Sequence, residues 1–83
     1  MADVVLTRRA VRDLDRLDPP DRRRVLDRLR ELAADPLQNA KKLTDPRLGR
    51  FRYRIGPFRV IFDLEGARVV VLRIGHRREV YRR

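Results

Sequence analysis

The sequence predicts an α+β fold, with an N-terminal strand and an antiparallel helical hairpin packed on one face of a four-stranded, mainly antiparallel sheet. Two features of the chain lead there. Apolar residues recur at helical spacing between Ala10 and Ala33 with a break at Asp18-Pro19-Pro20, and from Arg50 onward the apolar period switches to two. At 83 residues the chain is expected to be one domain spanning 1–83, with a modest hydrophobic core.

The first element is the apolar run Asp3 to Leu6, which suits a short strand, buried or at an edge. Thr7 follows as a candidate helix cap, because its hydroxyl can accept from exposed amides of a first turn. Ala10, Val11, Leu14 and Leu17 then share one helical face. Asp18-Pro19-Pro20 ends that helix and opens the next, since proline is excluded from helix interiors but favoured in a first turn. Val25, Leu26, Leu29, Leu32 and Ala33 form the apolar stripe of the second helix, opposite Arg22, Arg23, Asp27, Arg28 and Glu31. Asp35-Pro36 stops it. The segment LQNAKKLTDPRLG, from Leu37 to Gly49, has no sustained period and reads as a connecting loop carrying Lys41 and Lys42.

The rest of the chain reads as three strands. Phe51, Tyr53 and Ile55 alternate with Arg50, Arg52 and Arg54, and beyond Gly56-Pro57 the residues Phe58, Val60, Phe62 and Leu64 alternate with Arg59, Ile61 and Asp63. Past Glu65-Gly66, Val69 to Leu72 are apolar on both faces, as in a strand central to its sheet. If Gly56-Pro57 is a two-residue connection, Ile55 faces Phe58, Arg54 faces Arg59, Tyr53 faces Val60 and Arg52 faces Ile61. Arg52, Arg54 and Arg59 then share one sheet face, and Phe51, Tyr53, Phe58, Val60 and Phe62 share the other, under the helices. With Leu64 facing Ala67 in the next hairpin, Val69 and Val71 join the helix face, while Val70, Leu72, Ile74 and His76 join the arginine face.

Opposed arginines repel unless an anion lies between them, and Asp63 is the only acid expected on that face. Either the arginines are solvated and partly paired with Asp63 or Glu79, or they hold a phosphate, which a guanidinium can grip with two parallel hydrogen bonds. The charge balance favours a polyanionic partner: 22 Lys and Arg against 12 Asp and Glu give a net charge of +10. The chain has no cysteine, which excludes disulfides, thiolate metal sites and a cysteine nucleophile. With a single histidine besides, no credible metal-ligand cluster remains, and no cofactor or metal is expected. The acids Asp13, Asp15, Asp18, Asp27 and Glu31 read as solvated helix and turn positions. No apolar run reaches the length of a membrane span, and MADVVLTRRA lacks the apolar core of a signal peptide, so the expected compartment is the cytoplasm.

The stretches RYRIGPFRVIFDL and VVVLRIGHRREVYRR resemble the RelE/ParE toxin superfamily of bacterial and archaeal type II toxin–antitoxin systems, nearer its RelE branch. The resemblance extends over almost the whole chain, from the helical hairpin to the GHRREVYR ending. It implies a RelE-like fold and an endoribonuclease, an mRNA interferase that inhibits translation by cleaving mRNA in the ribosomal A site. It further implies a cognate antitoxin covering the basic surface, and a toxin–antitoxin complex on operator DNA.

Position by position, the family's basic strand residues fall on Arg52 and Arg54, its strand arginine on Arg59, and its C-terminal arginine and tyrosine on Arg77 and Tyr81. The expected catalytic set is Arg54, Arg59, Arg77, Tyr81 and His76; Arg50, Arg52, Lys41, Lys42 and Arg78 are expected to bind RNA phosphates. Well-known members carry lysine at the positions of Arg52 and Arg54. Arginine stabilises charge but is a poor base, with a pKa above ~12, so proton transfer shifts to His76 or Tyr81. Two other readings remain open: a ParE-like DNA gyrase inhibitor without nuclease activity, and a non-catalytic basic RNA-binding module.

Overall fold

The computed structural model describes residues 3–38, 40–44 and 47–80. β1 (Asp3–Leu6) runs into α1 (Arg8–Asp15), followed by α2 (Pro19–Ala34), β2 (Lys41–Lys42), β3 (Phe51–Ile55), β4 (Phe58–Glu65), β5 (Arg68–His76) and the short α3 (Arg77–Val80). The sheet order is β1-β5-β4-β3-β2, with β1 parallel to β5 and every other pair antiparallel. The expected α+β architecture holds, with one correction: the sheet has five strands, not four. Lys41 and Lys42 lie in the segment expected to be a loop, yet pair with Arg52 and Phe51 as a short edge strand. Two residues are too few to show a period.

Thr7 caps α1: its hydroxyl accepts from the Ala10 amide at 3.1 Å and donates to the Leu72 carbonyl on β5, also at 3.1 Å. The other end of α1 is closed from α2. The Arg22 guanidinium donates to the carbonyls of Leu14, Asp15 and Leu17 at 3.1–3.3 Å, adding a donor where the last helical carbonyls run short of them. The tight turn at Asp18-Pro19 is therefore fastened by a side chain that the sequence pattern assigns to the solvated face.

The core lies between this hairpin and one face of the sheet. Ala10, Leu14, Val25, Leu29 and Leu32 meet Tyr53, Ile55, Phe58, Val60, Phe62, Val69, Val71 and Ile74. Each such large apolar side chain contributes ~1.5–3 kcal/mol when fully buried. Phe51 stacks on Phe62 with ring centroids 5.4 Å apart. Arg28 of α2 reaches the sheet edge, donating to the Tyr53 hydroxyl at 3.1 Å and 3.3 Å. That bond raises the Arg28 pKa above its ordinary value and fixes the charge over the ring.

The first hairpin has the predicted register, from Ile55 opposite Phe58 through Arg52 opposite Ile61. Its two-residue turn works because Gly56 takes φ 56° and proline's fixed negative φ suits the second position of a type II′ turn. The second hairpin departs from expectation. Glu65 rather than Leu64 flanks the turn, opposite Arg68, and Gly66 takes φ 60° as its first residue. Val69 and Val71 keep their predicted helix-side burial. A bulge opposite Ile61 and Phe62 then reverses the alternation, so that Ile74 pairs with Val60 and enters the core instead of the arginine face.

Asp13 also differs from its expectation as a solvated acid. It is 6% exposed and accepts from the Ile74 amide at 2.9 Å and from Arg73 Nε at 3.2 Å. β1 pairs with β5 only as far as Val71, so this carboxylate takes over the free edge of β5 where the ladder stops.

A candidate phosphate-binding cleft

Three pieces of chain shape the sheet face away from the hairpin. The β3–β4 turn brings Arg54 opposite Arg59, and the β2–β3 ladder brings Lys41 opposite Arg52. The approach to β3 packs against the same face, where a Cβ on Gly49 would lie 2.6 Å from Ile61 Cγ2 and 2.9 Å from Leu72 Cδ1. With φ 147° as well, Gly49 is a position only glycine fills. At the far end, the Arg77 amide donates to the Pro57 carbonyl at 3.1 Å. Val80 packs close to Gly75, where a Cβ would lie 3.0 Å from Val80 Cγ2, so α3 folds against the end of β5 beside the first hairpin turn.

Two adjoining depressions result. One, of about 260 Å³, is lined by Lys41, Arg52, Arg54 and Arg59. The other, of about 430 Å³, is lined by Arg54, Arg59, Gly56, Pro57, His76, Arg77 and Arg78. Arg54 and Arg59 belong to both.

Arg59 is 9% exposed, and its Nη1 donates to the carbonyls of Gly56 and Phe58, both at 2.9 Å. These bonds hold the guanidinium in one place, and no acceptor among the described residues meets its Nε or Nη2. None of Lys41, Arg52, Arg54, Arg59, Arg77 and Arg78 forms an ion pair with a described acid. A buried guanidinium with spare donors beside other uncompensated cations is suited to an anion, because removal from water strengthens every charge interaction.

His76 pairs with Phe58 across the sheet, on the helix side of the register rather than the expected arginine face. The bulge causes this shift. As the last residue of β5 it still borders the second depression, with its ring edge-on to Phe58 at a centroid distance of 6.5 Å. The Arg78 amide donates to His76 Nδ1 at 3.4 Å, a long bond that favours the tautomer of the neutral ring carrying its proton on Nε2.

The structure thus brings together Arg52, Arg54, Arg59, His76, Arg77, Arg78 and Lys41. Arg50 stands apart: its amide donates to Asp63 Oδ1 at 2.7 Å and its Nε lies 3.7 Å from the same oxygen. Lys42 lies with Leu43, Gly49, Arg50 and Phe51 on another part of the surface. Tyr81 lies outside the described residues. The backbone bonds that position Arg59 carry no signal in the sequence beyond the arginine itself.

The profile described as the ParE toxin of the type II toxin–antitoxin system parDE matches residues 4–81. The chain belongs to the RelE/ParE superfamily of type II toxins. The toxin is 36% identical over 83 residues to Toxin RelG of Mycobacterium tuberculosis, covering 96% of this chain and 95% of that protein. Its fold matches the toxin–antitoxin complex RelBE2 of the same organism with a TM-score of 0.84 at 32% identity, over 92% of this chain and 98% of that one. The isolated RelE toxin of E. coli shares the fold, with a TM-score of 0.75 at 21% identity over 98% of this chain and 92% of that one.

Proposed function

We propose that this toxin is a ribosome-dependent mRNA endonuclease that works with protein groups alone and inhibits translation by cutting mRNA in the ribosomal A site. The observation that carries the reading is the opposed pair Arg54 and Arg59, without an acidic counterion among the described residues and contiguous with the chain's single histidine. The mRNA backbone supplies the missing negative charge. As the 2′-oxygen attacks, its bond to phosphorus forms while the bond from phosphorus to the 5′-oxygen breaks. The 2′-hydroxyl proton is lost, and the 5′-oxygen gains one. Arg54, Arg59 and Arg77 stabilise the charge that gathers on the phosphoryl oxygens, the type of contribution usually largest in such sites. His76 presents its Nε2 proton to the departing 5′-oxygen, and Tyr81 is the candidate partner for the 2′-hydroxyl. Among the described residues no group of three or more His, Asp or Glu side chains could hold a metal ion.

Solved relatives include the RelBE2 complex of M. tuberculosis and the RelBE complex of E. coli, and a cognate antitoxin is proposed for this chain too. An apolar groove between β1 and α2, lined by Val4, Leu6, Leu26, Leu29 and Ala33, supports docking of an amphipathic antitoxin helix. Operator binding by the pair, a cytoplasmic location and a single toxin domain over 1–83 belong to the same proposal. No described helix is long and apolar enough to cross a membrane.

Toeprinting of an mRNA under translation tests the reading: cleavage at defined codon positions by the purified toxin, lost in Arg59→Ala, supports it. The matching profile carries the ParE name, which keeps gyrase inhibition as the second reading. Gyrase–DNA cleavage complexes without mRNA cleavage would establish that reading instead.

A further inference from the structure

We propose that the cleft holds two consecutive phosphodiesters of one RNA strand, and that Lys41 and Arg52 form a subsite for the phosphate next to the one being cut. The proposal rests on reading the cleft as an RNA site. Its basis is the division of the cleft into two depressions with Arg54 and Arg59 as their shared wall. Lys41 and Arg52 line only the first, and His76, Arg77 and Arg78 only the second. Arg52 and Arg54 are alternate residues of β3, so their Cα atoms are ~6.6–6.8 Å apart along the strand, a step comparable with that between neighbouring phosphates of an extended nucleic acid.

The two depressions differ in chemistry. The second contains His76, whose Nε2 proton can follow charge onto a leaving oxygen. The first contains three arginines and a lysine and no imidazole, groups suited to gripping an anion. The reacting phosphate therefore belongs beside His76, and the flanking one beside Lys41 and Arg52. The Lys41 subsite exists because β2 pairs with β3 and sets Lys41 opposite Arg52 on the cleft side.

The test compares two uncleavable 2′-O-methyl oligonucleotides without terminal phosphates: a dinucleotide with one linkage and a trinucleotide with two. Binding is measured by calorimetry across a salt series on the intact wild-type chain, Lys41→Ala, Arg52→Gln and Arg77→Ala. Wild type is expected to bind the trinucleotide about tenfold more tightly, with a salt slope steeper by roughly 0.7 for the added phosphate contact. Lys41→Ala and Arg52→Gln each erase most of that gain and weaken the trinucleotide far more than the dinucleotide, whereas Arg77→Ala weakens both alike. Equal wild-type affinity for the two ligands overturns the second subsite while leaving the RNA-site reading in place, as does an equal loss for both ligands in Lys41→Ala and Arg52→Gln. Failure of wild type to bind either ligand overturns both. Matching thermal midpoints confirm that each variant is folded.

Discussion

Arg54 and Arg59 face each other directly across the β3–β4 ladder, and neither has an acidic partner among the described residues. The two are not equivalent. Arg54 is exposed and makes no described hydrogen bond, so its charge is a net cost in the free protein. Arg54→Gln should stabilise the fold at low salt by ~0.5 kcal/mol, a rise in thermal midpoint of roughly 2–4 °C that shrinks as salt screens the repulsion. Cleavage should fall at least ~100-fold. Scanning calorimetry at low and high salt, with toeprinting, checks both halves, and a lower midpoint for the variant would contradict this account.

Arg59→Ala should behave in the opposite sense on stability. It removes two hydrogen bonds to the hairpin carbonyls along with the repulsion, for a net loss of about 1 kcal/mol. The far-ultraviolet circular dichroism spectrum should stay unchanged while cleavage disappears.

The tautomer of His76 makes a further prediction. Because the ring gives its Nε2 proton to the 5′-oxygen, His76→Gln and His76→Leu should be about equally inactive in single-turnover cleavage, since an amide can donate a hydrogen bond but cannot give up a proton. Much greater cleavage by His76→Gln would point instead to hydrogen bonding without proton transfer.

Asp13→Ala strips the acceptor from a buried amide and removes an ion pair with Arg73. The expected cost is ~2–4 kcal/mol, read from urea unfolding, with Asp13→Asn in between because its carbonyl can still accept from Ile74.

Arg22→Ala exposes the last carbonyls of α1 to imperfect solvation, at a cost of ~1–2 kcal/mol. Lysine at that position should restore only part of the loss, since it lacks the fork that reaches several acceptors at once.

Much of this was legible in the sequence because periods and turns over-determine it. The register from Ile55 and Phe58 to Arg52 and Ile61 follows from Gly56-Pro57 together with strict alternation. Any one-residue slip would bury Arg54 and expose Tyr53. The positions of Ile74 and His76 were not legible, because a bulge leaves no mark in a strand that is apolar on both faces. Nor were the roles of Asp13 and Arg22, since a charged helix position reads as solvated until a distant partner is known. The short β2, and with it the placing of Lys41 beside Arg52, lies below the length at which alternation can be recognised. The alternation puts Asp63 on the arginine face, but there it holds Arg50 rather than the cleft.

Thr7 bonds to Leu72, 65 residues further along, and Asp13 to Ile74, 61 residues further along. The side-chain bonds that fasten the first helix to the sheet therefore wait for β5, the last strand in chain order among the described residues. A chain emerging from the ribosome N-terminus first, at ~5–20 residues per second, cannot complete its fold or its cleft until β5 has been made. A chain cut short before β5 has no partner for β1, no dock for α1 and no second depression beside His76.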